Sequence, residues 1–393
     1  MISMSKKKDV FGANQLSLFE EDQGNIKNKK EPRPKNIPVT KKTDASASAF
    51  GWRFQVVVGI ILSLHNIQEL ESVEIEGDTE DIELRFHDKD PEYIQVKAVQ
   101  RNPVDARDNE KATLAMNTLI NTSNITTGKY SKLVYVANFR NPLDLSDPIL
   151  KASWLPRMDE PFVRSYLSLP DEAKRFIQSR IALAQGQLAK KYMSTTDYFD
   201  LAKLYIVTIM FESNDQDEQK YSSLEGTIDN FLGGLKLNLK RSKVHNIKNM
   251  FVNKYLADAG SKESSKKHGK ITKEVLVLRM IFEIIDEVPN DFYDDVPAGI
   301  SDQLDIYEDD FISQQIEDID IINKVISGLD KYAKSPTPSN KVIKEFVEDK
   351  WANYKEVFPD DNELIQEYGI KMIILRILSG QIIIKRIKNG VNL

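Results

Sequence analysis

The sequence predicts an α+β fold, with an αβββαβ core near the N-terminus and a mainly α-helical C-terminal region after it. Three observations carry this expectation. The apolar segment at 51–70 is too long for a strand and keeps helical spacing through Ile60, Ile61, Leu64 and Ile67. Three short segments with strand character follow, at 72–75, 81–86 and 93–99. From about residue 141 onward strand signals fade and helical periodicity takes over.

The elements follow in order. Residues 1–48 read as a disordered basic tail. Within it, 27–42 (KNKKEPRPKNIPVTKK) is basic, proline-rich and almost free of apolar residues, so burial cannot offset its ordering entropy. The run 43–48 (TDASAS) reads as linker and helix-cap material. The helix at 51–70 contains a β-branched run, Val56-Val57-Val58, but its length decides against a strand. Segment 72–75 stops at the turn signal Glu76-Gly77-Asp78. Segment 81–86 places Ile82, Leu84 and Phe86 on one face, and 93–99 sets Ile94, Val96 and Ala98 against Gln95 and Lys97. The link from His87 to Pro91 has hairpin length. A helix is expected at 108–122 and a strand at 132–139. Beyond it, helices are expected at 171–191, 196–211, 224–235, 243–257, 273–286, 309–329 and 341–358. The aliphatic segment 370–387 could be helix or strand. Polar loops are expected at 258–270 and 286–302. This gives three regions: the tail at 1–48, a domain at 49–142, and a helical region at 143–393 serving partner binding and oligomerisation.

Composition removes several chemistries. The chain has 393 residues, 54 Lys and Arg against 60 Asp and Glu, and a formal net charge of -6. It has no cysteine, which excludes disulfides, thiolate metal sites and cysteine nucleophiles. Its four histidines (His65, His87, His245, His268) have no ligand-like spacing, which argues against a zinc site or a Ser–His–Asp hydrolase. The segment 1–9 is basic but has no apolar run after it, unlike a signal peptide. No stretch of about 18 uninterrupted apolar residues occurs, so a cytoplasmic protein with no membrane contact is expected. The acidic balance argues at first sight against nucleic acid. The basic tail shows how uneven that charge is.

The chemistry concentrates at Asp81 and Gln95-Val96-Lys97. Asp81 opens one strand, while Gln95 and Lys97 sit two apart on the next and share a face. If the strands pair, a carboxylate, an amide and an ammonium converge above Ile82, Ile94 and Val96. Metal-assisted phosphodiester hydrolysis needs such a set: hard oxygen ligands for Mg²⁺ (or Mn²⁺), and a lysine to orient water or steady charge on phosphate. The Val96 carbonyl offers a further ligand. Each feature alone is commonplace on a strand edge. Their order and strand context together make the pattern specific.

This order, with Asp…Gln-x-Lys on the second and third strands, resembles the PD-(D/E)XK nuclease core, a restriction-endonuclease-like fold. Gln95 stands where many members carry an acid. Gly51-Trp52-Arg53-Phe54-Gln55, Glu76-Gly77, Glu80-Asp81-Ile82-Glu83-Leu84 and Ile94-Gln95-Val96-Lys97 look more narrowly like the endonuclease domain of CD-NTase-associated effectors of bacterial anti-phage defence, where Gln-x-Lys is usual. The resemblance spans roughly 49–140, about a quarter of the chain. It implies that Asp81 and Gln95 hold the metal together with the Val96 carbonyl, that Lys97 is the catalytic lysine, and that Gln55 reaches the same site. Glu80 and Glu76 would play supporting roles.

A nuclease of this type joined to a helical region looks like the nuclease subunit of a Lamassu-type defence complex. That resemblance implies double-stranded DNA as substrate, together with an SMC-like ATPase and an accessory subunit that restrain the nuclease. It fits the lack of a Walker A motif in this chain. Cutting both strands calls for two sites, hence a homo-oligomer when active. In the tail, Gln15-Leu16-Ser17-Leu18-Phe19 resembles the pentapeptide by which bacterial DNA-processing proteins bind the replication sliding clamp. Residues 27–42 could hold DNA phosphates. The alternative from another class is a catalytically degenerate nuclease-fold adaptor in a DNA-bound complex.

Overall fold

In the computed structural model the described residues are 45–100, 109–143, 148–192, 198–212, 220–260, 270–285, 288–289, 291–297, 299–304, 318–333, 335, 337–360 and 362–393. The Gln15–Phe19 motif and the basic run 27–42 lie outside them.

Helix α1 (Ala45–His65) is apolar on most sides because it is a core element. Phe54, Val58 and Ile61 are fully buried in it. By composition its segment Ala47–His65 is also long and apolar enough to cross a membrane, but 61% of that segment is buried inside the fold. After the turn at Asn66 come strands β1 (Leu70–Ile75), β2 (Ile82–Phe86) and β3 (Glu92–Lys97), paired antiparallel in sequence. Helix α2 (Asn109–Ile125) then crosses over, and β4 (Lys132–Ala137) lies parallel to β3. The order helix, three strands, helix, strand is the one expected from the sequence.

The sheet continues past residue 142. Helix α3 (Pro148–Ser153) leads to β5 (Phe162–Ser165), and helix α4 (Asp171–Tyr192) to β6 (Leu204–Thr208). Strand β6 runs parallel to β4 and antiparallel to β5. Two helices follow, α5 (Ser222–Gly234) and α6 (Arg241–Gly260), and then β7 (Lys270–Thr272), which pairs with β1. The result is a mixed seven-stranded sheet in the order β5-β6-β4-β3-β2-β1-β7. Residues 45–393 belong to one compact unit, so the sheet joins both sides of position 142.

The remaining helices are α7 (Lys273–Ile284), α8 (Asp320–Ala333), α9 (Asn340–Lys350), α10 (Glu363–Ser379) and α11 (Gln381–Val391). Most of the expected helices are present, with four differences. The helix expected at 196–211 is replaced by a short 3₁₀ turn and β6. Its Leu204-Tyr205-Ile206-Val207-Thr208 run is rich in β-branched residues and is buried beside β4, where pairing outweighs helical spacing. The helix expected at 309–329 starts at Asp320, and 305–317 lie outside the described residues. The helix expected at 341–358 tightens into a 3₁₀ turn over Trp351–Val357. The segment 370–387 is helical but broken at Gly380, where a Cβ would lie 2.4 Å from the Ile285 side chain.

The two faces of the sheet carry two cores. Ile82, Leu84, Ile94 and Val96 point to the side of α1. Tyr93, Tyr135 and Ala137 point to the side of α2, against Ala112, Met116 and Leu119. Alternation along β3 therefore assigns Gln95 and Lys97 to the α2 side.

Candidate active site

The site forms where a hairpin opens. Strands β2 and β3 pair from Leu84↔Glu92 to Ile82↔Ile94, and the pairing stops there. Beyond it β3 continues along β4 through Gln95↔Tyr135 to Lys97↔Ala137, while the β2 side is free of ladder bonds. The backbone there needs another partner. Asp81 supplies it: Val96 N–H donates to Asp81 Oδ2 at 2.8 Å. Gln95 Nε2 donates to the same oxygen and lies 3.5 Å from the Val96 carbonyl. From α1, the Gln55 amide reaches the Asp81 carboxylate as a further donor. The four residues expected to carry the chemistry, Gln55, Asp81, Gln95 and Lys97, therefore share one end of the sheet.

The turn before Asp81 is fixed by the sequence around it. Glu76 takes the left-handed conformation with φ 55°, and its N–H donates to the Asp81 carbonyl at 2.8 Å. The Glu83 carboxylate is buried. It accepts from Thr79 N–H at 3.0 Å and Thr79 Oγ1 at 2.5 Å, and pairs with Arg85 at 2.7 Å. Gly77 passes so close that a Cβ there would lie 2.9 Å from this carboxyl group, which is why the turn takes glycine.

Electrostatics set the site apart. Burial raises the Asp81 pKa against the opposing pull of Lys97 and the Val96 N–H. Burial likewise lowers the Lys97 pKa, while Asp81 and Glu80 pull it back up. Among the described residues no carboxylate lies within 4 Å of Lys97 Nζ, so its charge has no direct ion pair. Glu80 is 5% exposed, and burial pushes its carboxyl up to about 8. Its Oε1 accepts from Thr122 Oγ1 of α2 at 2.6 Å, and its Oε2 is buried without a partner. Gln55 Oε1 is also buried without a partner.

Sequence reasoning gave Glu80 only a supporting role and missed Thr122, because the pair lies 42 positions apart and forms only when α2 docks. It also missed Asn138. This buried side chain accepts from Val99 N–H at 2.9 Å and donates to Val99 O and Phe211 O, both at 2.8 Å. The ends of β3 and β4 and the residues after β6 are thereby tied together, two positions beyond Lys97. No local pattern marks such a residue.

The donor set suits a hard divalent cation. Asp81, the Val96 carbonyl and two glutamine amides are oxygen sources, and the unpartnered Gln55 and Glu80 oxygens belong to the same cluster. Among the described residues no group of three His, Cys, Asp or Glu is arranged to hold a metal, so any cation here leans on amide and carbonyl oxygens. Two cavities lie away from this site. One of about 820 Å³ sits between α9 and α10, near Tyr368 and Lys371. Another of about 410 Å³ is lined by Arg140, Lys151 and Trp154. No protein-family model, curated protein or solved structure matches the chain.

Proposed function

We propose that the chain is a Mg²⁺-dependent endonuclease that hydrolyses phosphodiester bonds of double-stranded DNA, built on a restriction-endonuclease-like core. The observation that supports this best is the convergence of Asp81, Gln95 and Lys97 where β2 and β3 part, with Asp81 bonded to the Val96 backbone. Asp81, Gln95, the Val96 carbonyl and Gln55 would hold the cation, which would polarise the phosphate and activate water. Asp81 is kept in place by the Val96 N–H. Lys97 Nζ, with no ion pair among the described residues, is available to a phosphate oxygen or the attacking water. Its lowered pKa favours sharing a proton with that water. Gln95 orients the Asp81 carboxylate, and Glu80 braces the start of β2 against α2.

The wider role proposed is that of a cytoplasmic effector in a Lamassu-type anti-phage complex, restrained by an SMC-like ATPase and an accessory subunit and active as a homo-oligomer. The sliding clamp would engage the Gln15–Phe19 motif. A second reading has one observation in its favour: with no group of three His, Cys, Asp or Glu placed to hold a metal among the described residues, a degenerate adaptor would look similar. Plasmid cleavage separates them. With Mg²⁺ the full chain, alone or in its activated assembly, is expected to linearise plasmid. Chelation or Asp81→Ala should abolish cutting, a loss of about a thousandfold or more. Cutting unchanged by Asp81→Ala would remove the endonuclease proposal, and no cutting under any condition would favour the adaptor.

A further inference from the structure

We infer that Gln55 and Gln95 are the partners of Asp81 while the site holds no cation, and that both amides turn to present oxygen when a Mg²⁺-like cation enters. This inference rests on the endonuclease reading of the same site. It concerns why glutamine, rather than an acid, stands at these two positions.

Asp81 is a carboxylate withdrawn from water, and such a group needs donors. It has three: the Val96 N–H at 2.8 Å, the Gln95 Nε2 group and the Gln55 amide. Two of the three are side-chain amides, one from β3 and one from α1, directed at one carboxylate. A glutamate at either position has no proton to give at neutral pH. It would set a second negative charge beside Asp81, a cost that only a bound cation would relieve.

A glutamine amide carries a donor and an acceptor of nearly equal size at the end of one rotatable bond. A half-turn about that bond replaces N–H by C=O in the same volume. Gln55 Oε1 is buried and has no hydrogen-bond partner, so the oxygen does nothing to hold that amide in its present orientation. Gln95 Nε2 lies 3.5 Å from the Val96 carbonyl, too long to be a strong restraint. Both amides are thus held chiefly by Asp81, the group a cation would claim. The pair keeps the site assembled between catalytic events, and the cost is weaker cation binding than an acid would give.

The test uses the full chain without DNA, titrated with Mn²⁺ by calorimetry and melted in chelator or in saturating Mn²⁺. Gln95→Glu should melt below the wild type in chelator, bind Mn²⁺ about tenfold tighter, and gain more from Mn²⁺ on melting. Gln55→Glu, at a half-buried helix position, should show the same pattern if Gln95→Glu folds poorly. Gln95→Met should lose metal-free stability without tighter binding. Glutamate variants that bind Mn²⁺ no tighter, or melt like the wild type in chelator, would overturn the inference even if the wild type binds Mn²⁺ through Asp81 and cuts DNA. A wild type that neither binds Mn²⁺ nor cuts DNA would overturn the endonuclease reading as well.

Discussion

Three buried or half-buried lysines of the helical half and the open end of the β2–β3 hairpin treat charge in opposite ways. In the helical half Lys371 lies 2.6 Å from both Glu348 and Glu367. Burial works against that charge, but the two carboxylates outweigh it and raise the Lys371 pKa. Lys273 donates to the carbonyls of Gln68 at 3.0 Å and Asn392 at 3.3 Å, pinning the chain end to the turn before β1. Lys248 reaches Glu225 at 3.1 Å. At the hairpin end Lys97 has no such partner among the described residues, and Glu80 and Gln55 each leave an oxygen unpaired. These three frame lysines are each paired, because an unpaired buried charge costs more than it returns. Unpartnered polar atoms gathered beside a desolvated ammonium at one strand end mark a place completed by something else.

Glu80 gives the largest expected effect on that contrast. Its folded pKa of about 8 lies above its ordinary 4.5. Between these values the folded state holds a proton that the unfolded state has released, so stability falls as pH rises through the window. The full shift corresponds to roughly 4 to 5 kcal/mol as an upper bound. Glu80→Gln should remove this slope. Denaturant unfolding in chelator near pH 5 and pH 8 measures it, and an unchanged slope in the variant would contradict the assignment.

Lys273→Met comes next. It strips the donor from two carbonyls and should cost about 2 to 3 kcal/mol, read as a lower Tm with Mg²⁺-dependent cleavage intact below the melt. Equal melting would mean that the frame lysines are not paired for stability. Gly77→Ala is the smallest. It pushes a methyl group into the Glu83 carboxyl and should cost about 1 kcal/mol, while loosening Asp81 enough to lower kcat more than stability. A variant that loses stability but keeps kcat would separate the turn from the site.

Much of the core was legible because its signals are local. The alternation of Ile82, Leu84 and Phe86, and of Ile94 and Val96, reports burial on one face, so the positions of Asp81, Gln95 and Lys97 followed. What was hidden depends on distant partners. Strand β6 reads as helix until β4 lies beside it. Strand β7 has three residues and exists only through its pairing with β1. Glu80 and Asn138 look like ordinary polar residues at strand ends. They gain their roles from Thr122 on α2, and from Val99 and Phe211. The need for glycine at 380 is likewise set by Ile285, nearly a hundred positions earlier.

The most direct test of the contrast is Lys97→Met, measured for both melting and cleavage in Mg²⁺ beside the wild type. Removing a desolvated ammonium that has no ion pair among the described residues should leave Tm equal or higher, while cleavage falls by about a thousandfold or more. A variant that melts far below the wild type, or cuts DNA at the wild-type rate, would show that Lys97 belongs to the frame and not to the chemistry.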